Sequence, residues 1–145
     1  MFYQNEITPE LVSLTKKHEG FKDMPYKDTR GFWTIGYGTK LPISEKEAEM
    51  LLMNRLSEAI TELVERKPFI LSYPPKIKQV LYEMAYQLGV PKLMEFKRMW
   101  EAVENKDWEN MIKEMYDSRW YQQTPKRVEE LVSLVKEVIE EEKWV

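Results

Sequence analysis

Glu19, Asp28 and Thr34 are the residues of this chain best placed to do chemistry. They fall in His18-Glu19-Gly20-Phe21-Lys22-Asp23-Met24-Pro25-Tyr26-Lys27-Asp28-Thr29-Arg30-Gly31-Phe32-Trp33-Thr34-Ile35-Gly36-Tyr37-Gly38-Thr39. Two carboxylates held apart on different elements are the minimum equipment for acid/base hydrolysis of a glycosidic bond. A hydroxyl amid aromatic side chains, followed by Gly36 and Gly38, adds a polar group where a ligand could approach the backbone. Each residue also has a plain reading. Glu19 could be a solvated acid at a helix end, and the glycines could mark a bend in a twisted hairpin.

The elements needed to position these groups are legible. Thr8-Pro9-Glu10 is a helix start with a hydroxyl cap, a proline at the first helical position and an acid in the first turn. Leu11, Leu14 and Thr15 continue one face to Gly20, a helix stop. This places Glu19 in the last turn, where exposed carbonyls disfavour a carboxylate. Pro25-Tyr26-Lys27 and Gly31 to Tyr37 read as two strands around the turn Asp28-Thr29-Arg30-Gly31. Strand alternation sets Phe32, Thr34 and Gly36 on one face, with Trp33, Ile35 and Tyr37 on the other.

The rest of the chain is helical. Ser44-Glu45-Lys46-Glu47 has the form of a capping box. Ala48, Leu51, Leu52, Leu56, Ala59, Ile60 and Leu63 follow at helical spacing until Lys67-Pro68, a run of about 30 Å. Pro74-Pro75 opens a helix ending at Gly89, and Pro91 a second carrying Leu93, Phe96, Trp100 and Val103. A shorter one begins near Lys106-Asp107, and Thr124-Pro125 leads a last one whose end, Glu140 to Lys143, is expected to fray. The methionines and most tryptophans sit at helical spacing and read as core.

Composition removes several classes of chemistry. The 145 residues contain no cysteine and a single histidine, so thiolate sites, disulfides and His-based metal sites or triads have no material. His18 is next to Glu19 on a helix, so the two side chains point about 100° apart and His18 is a poor partner for it. No metal and no cofactor is expected. A net charge of -3 argues against a basic nucleic-acid binder. No apolar run reaches the roughly 18–20 residues needed to cross a membrane, and Met1 to Glu6 show no signal-peptide pattern. The expectation is a protein made in the cytoplasm that acts elsewhere only after release, with a monomer as the default state.

Three stretches carry a resemblance. Glu19-Gly20, Tyr26-Lys27-Asp28-Thr29-x-Gly31 and Thr34-Ile35-Gly36-x-Gly38 resemble the active-site segment of the phage-type lysozymes, spacing included. Ser118-Arg119-Trp120-Tyr121-Gln122-Gln123-Thr124-Pro125-Lys126-Arg127 is similar to a Ser-Arg-Trp-Tyr-Asn-Gln-Thr-Pro-Asn-Arg stretch of that family. Met84-Ala85-Tyr86-Gln87-Leu88-Gly89 is a weaker third match, and the likeness runs from about Pro9 to Val138.

The resemblance implies an α+β, mostly α, lysozyme-like fold. A small N-terminal β-hairpin lobe (21–43) and a larger helical lobe (1–20 and 68–145) would be joined by a long helix (44–67), as one domain over 1–145. It implies a muramidase that cuts the β-1,4 bond between N-acetylmuramic acid and N-acetylglucosamine in peptidoglycan with inversion, which lyses bacteria. Glu19 matches the general acid, Asp28 the carboxylate acting across the sugar, and Thr34 a hydroxyl that helps to place the water. Tyr26, Gln87, Trp120 and Arg127 match cleft-lining positions, with Arg127 expected near Glu19. For Trp120, packing between helices and sugar contact fit equally well. The partner would be the wall polysaccharide, met after release from the producing cytoplasm, a host's for a phage product.

Two departures stand out. Gly38 to Ser44 joins the second strand to the long helix almost directly, where T-even members of the family carry about twenty further residues, a variation that loops tolerate. The family's histidine after Gly38 is Thr39 here. The chain is also acidic, which implies weaker electrostatic steering towards an anionic wall. A peptidoglycan-binding module without turnover and an inactive artificial scaffold are the competing readings. Retention of Glu19, Asp28 and Thr34 together argues against the first, because a pure binder has no need of all three.

Overall fold

The computed structural model describes residues 4–144 of the chain. Backbone contacts divide it into two compact units, Met1–Met50 and Leu51–Val145. The division falls inside a long helix, so the first helix clusters with the sheet. The sequence reading groups residues 1–20 with the helical lobe instead.

In the N-terminal unit, helix α1 runs Pro9–Glu19. The Thr8 hydroxyl accepts the Leu11 amide at 3.1 Å, and Gly20 ends the helix by donating to the Lys16 carbonyl. Both ends are where the Thr-Pro and Gly signals put them. Strands β1 (Lys22–Lys27), β2 (Trp33–Gly36) and β3 (Thr39–Lys40) form an antiparallel meander in the order β1-β2-β3. Tyr26 pairs with Thr34 and Lys27 with Trp33, and the register shifts between Lys22 and Tyr26. Pro25 lies in that irregular stretch, where it has no N–H to give to a ladder. The third strand is a correction to the two-strand reading. Gly36 and Gly38 both take positive φ, which turns the chain back within a few residues so that Lys40 pairs with Thr34.

Helix α2 spans Glu45–Arg66, and the predicted capping box starts it. The Ser44 amide donates to Glu47 Oε1 at 2.9 Å, and the Glu47 amide donates to Ser44 Oγ at 3.1 Å. Its 22 residues correspond to about 33 Å. Burial rises along it: Ala48 to Leu52 are exposed, Leu56, Ala59 and Ile60 are half-buried, and Leu63 is buried. Among the described residues of the N-terminal unit, Thr34 alone is buried.

The C-terminal unit holds the core. Helices α3 (Pro75–Leu88), α4 (Val90–Met94), α5 (Lys97–Glu104), α6 (Trp108–Tyr116), α7 (Arg119–Gln123) and α8 (Pro125–Lys143) pack around Leu81, Met84, Trp100, Met111, Leu131 and Val135. The helix read from Pro91 onward is two, because the chain turns at Glu95-Phe96 between α4 and α5. Helix α7, unread from sequence, falls inside the Ser118–Arg127 motif. Thr124 does not cap α8 with its side chain; its hydroxyl donates to the Trp120 carbonyl at 3.1 Å.

The end expected to fray stays helical through Lys143. Lys76 pairs there with Glu137 and Glu141, and Trp108 Nε1 donates to Glu142 at 3.0 Å. The core reading of methionine and tryptophan holds for Met84, Met99, Met111, Met115, Trp100, Trp108 and Trp120. It fails for Met24, Met50 and Met53, all exposed, and Met1 lies outside the described residues. Helical spacing marks a face, and only packing decides whether that face is covered.

Candidate functional site

Glu19 ends α1, and two ring contacts fasten that end to the β2–β3 turn. The Phe21 and Tyr37 rings lie 5.5 Å apart, and Lys16 Nζ sits 5.4 Å from the centre of the Tyr37 ring. Between them Gly38, at φ +74°, passes directly against the Glu19 side chain. A Cβ at Gly38 would lie 2.8 Å from Glu19 Cδ and 3.3 Å from Cγ. The first separation is well inside carbon–carbon contact and the second slightly so, and only glycine leaves the carboxyl group where it is. The second glycine of Gly-x-Gly is therefore explained by what lies against it, since its bare Cα forms the floor under Glu19. His18, one residue earlier, is exposed, as its place on the helix predicts.

Asp28 follows β1 and opens the turn. Its backbone N–H donates to the Phe32 carbonyl at 2.9 Å, and the Gly31 amide returns to the Asp28 carbonyl at 3.0 Å. Its Oδ1 accepts two backbone amides, Arg30 and Phe32, each at 2.9 Å. Lys40 on β3 bonds Oδ2. The Lys40 ammonium, then the Phe32 amide, hold the Asp28 carboxyl below its ordinary value of 3.8, with burial opposing and the Arg30 amide assisting. Asp28 is thus an anchored anion with every oxygen engaged, kept ionised through the range in which most enzymes work.

Thr34 lies at the centre of the sheet with no accessible surface. Its hydroxyl donates to the Phe32 carbonyl at 3.0 Å. Phe32 therefore takes Thr34 and the Asp28 N–H on its carbonyl while its own N–H holds the Asp28 carboxylate. The structure brings Thr34 to Asp28 through Phe32, not onto an open surface. Tyr26, paired across from Thr34, is half-buried.

In the C-terminal unit, Trp120 Nε1 donates to Gln87 Oε1 at 2.8 Å. The indole is only 3% exposed and meets the Phe96 ring edge-on at 6.2 Å. The polar edge of the indole is spent on orienting Gln87. Arg127 stands apart from that pair. Its Nε lies 3.6 Å from Glu83 Oε1, and both side chains are nearly half exposed. It lines an open groove of about 550 Å³ whose walls include Leu56, Ile60, Tyr82 and Tyr86. Glu83, its partner, stands on α3. Among the described residues no group of three or more His, Cys, Asp or Glu side chains could hold a metal ion.

Sequence reasoning missed Lys40. The signal was the close spacing of Gly36 and Gly38, which returns the chain to pair with β2 and sets a lysine across from Thr34.

A family profile for phage lysozyme matches residues 16–136. "Probable T4-type lysozyme 1" of Dictyostelium discoideum is 28% identical over 162 residues, covering 89% of this chain and 95% of its own length. "Probable T4-type lysozyme 2" of the same organism is 28% identical over 160 residues, covering 88% of this chain and 94% of its own. The pre-baseplate central spike protein Gp5 of Enterobacteria phage T4 is 26% identical over 157 residues, 86% of this chain but 27% of that protein. The first alignment runs over 162 positions against a chain of 145, so that relative carries residues which this one lacks.

Proposed function

This chain belongs to the phage lysozyme family, and from that premise we propose that it is a muramidase, one that hydrolyses the β-1,4 bond between N-acetylmuramic acid and N-acetylglucosamine in bacterial peptidoglycan. The anchoring of Asp28 carries the reading. A carboxylate gripped by two amides and an ammonium stays charged and does not swing, as a base that must meet a water on one face of a sugar requires. Glu19, seated on Gly38 at the negative end of α1, donates the proton to the leaving oxygen. Asp28 uses the lone pair of Oδ2 not committed to Lys40 to take a proton from the attacking water. The anomeric carbon is attacked from the face opposite the leaving group, so configuration inverts.

Thr34 supports this arrangement by fixing Phe32, and through it the Asp28 carboxylate. Direct placement of the water by its hydroxyl would need the buried group to be uncovered when sugar binds. Tyr26 and Arg127 remain the side chains offered for saccharide contact. Gln87, oriented by Trp120, presents its amide from a fixed position. The shortened link after Gly38 leaves less surface for distal sugars than longer relatives have.

Digestion of purified peptidoglycan tests the reading. The expected product carries a new reducing end on N-acetylmuramic acid, and NMR of the first turnover shows the α-anomer. New reducing ends on N-acetylglucosamine, or no cleavage, would overturn the assignment; a β-anomer would overturn the single displacement.

A further inference from the structure

The candidate base has a cation of its own from a strand that the sequence hardly announces. Lys40 is one of two residues in β3, and its pairing with Thr34 aims it across β2 at the end of β1, where Asp28 begins the turn. There it bonds Oδ2, the oxygen that the Arg30 and Phe32 amides leave free. The Lys40 side chain is 57% exposed and that of Asp28 is 14% exposed, so the ammonium reaches in from solvent over a largely covered carboxylate.

The other nearby cations are turned elsewhere. Lys27, next to Asp28 on β1, lies 5.4 Å from the centre of the Trp33 ring, and Arg30, in the turn itself, lies 5.9 Å from that of Phe32. Each ring holds its cation through the charge–quadrupole attraction. Lys40 is therefore the one cation on the Asp28 carboxylate among the described residues.

We propose that Lys40 is a positioning residue of the reaction, which holds Oδ2 of Asp28 in place and leaves one lone pair of that oxygen facing the water. The inference rests on the assignment of Asp28 as the base. An ion pair with Oδ2 weakens the carboxylate as a base but keeps it deprotonated in acid. The arrangement exchanges base strength at neutral pH for a wider working range below it. Oδ1 cannot replace Oδ2 in this role, because two amides already occupy it.

The test compares the parent with Lys40→Met and Lys40→Arg, at a site exposed enough for all three to fold. The titration of the Asp28 carboxyl is followed by carbon NMR, and the clearing of a cell-wall suspension across acidic pH is measured in parallel. In Lys40→Met, both the carboxyl titration and the acid limb of clearing are expected to move to higher pH. Lys40→Arg is expected to restore both. An unmoved carboxyl titration in Lys40→Met would overturn the proposal at Lys40. A moved titration with an unmoved acid limb would overturn it at Asp28, and leave the hydrolysis of peptidoglycan itself standing. Absence of clearing by the parent at every pH would bring down the functional reading beneath it.

Discussion

Gly38→Ala separates the positioning of Glu19 from the stability of the fold. Its new methyl group would lie 2.8 Å from Glu19 Cδ, against a carbon–carbon contact of about 3.5–4.0 Å. The carboxyl group must therefore retreat by roughly 1 Å. It can do so, because it is the free end of a flexible side chain and not part of a packed wall. The remaining cost is the positive φ at position 38, about 1–2 kcal/mol for a residue with a Cβ. For a chain of this length that corresponds to a Tm lower by roughly 3–8 °C. A general acid displaced by that distance from the glycosidic oxygen loses about a hundredfold in rate. The assay is the initial rate of cell-wall clearing beside a thermal melt of the same sample. A fall of about a hundredfold with the melt shifted only that far supports the reasoning. Clearing within about threefold of the parent would refute it, since a proton donor must sit within hydrogen-bond reach of its acceptor.

Other outcomes follow from the same contacts. The depressed titration of Asp28 contributes stability that is fully present above its ordinary value of 3.8 and is lost as pH falls through the lowered folded value. Acid melts of the parent should accordingly decline more steeply than those of Lys40→Met at the lowest pH. Gln87→Leu would leave the buried Trp120 N–H without an acceptor, at a cost of about 1–3 kcal/mol read by denaturant titration, while Gln87→Glu keeps the acceptor and most of the stability. Met111→Ala, in the helical core, should cost about 2–5 kcal/mol, whereas Met24→Ala, on an exposed strand, should stay within about 0.5 kcal/mol. Equal effects from the two methionines would contradict the division of the chain into a cored unit and an open one.

Local signals were read most accurately. Thr8-Pro9, Gly20, the Ser44–Glu47 box and the apolar spacing of α3 and α8 each depend on a few neighbouring residues, and each appears as predicted. The placement of Glu19, Asp28 and Thr34 was legible for the same reason, since a helix end, a turn and a strand hold them within a short segment. What the sequence hid depends on partners distant along the chain. β3 is too short to show alternation, so Lys40 could not be paired with Asp28 until the register was known. The same holds for Gln87 with Trp120 and for Arg127 with Glu83, which require α3 to meet α7 and α8. The burial of Thr34 at the sheet centre and its bond to the Phe32 carbonyl likewise depend on packing that no local pattern displays. The methionine pattern misled where it was periodic but uncovered, as at Met50 and Met53 on the exposed first half of α2.

The central claim is that Glu19 supplies the proton that breaks a glycosidic bond in peptidoglycan. Clearing of a bacterial cell-wall suspension by the parent and by Glu19→Gln tests it most directly. Glutamine keeps the size and the seat on Gly38 but has no acidic proton to give. The account predicts clearing by the parent and a rate at least about a hundredfold lower for the variant, the scale of a missing general acid. Equal rates for the two proteins would contradict it.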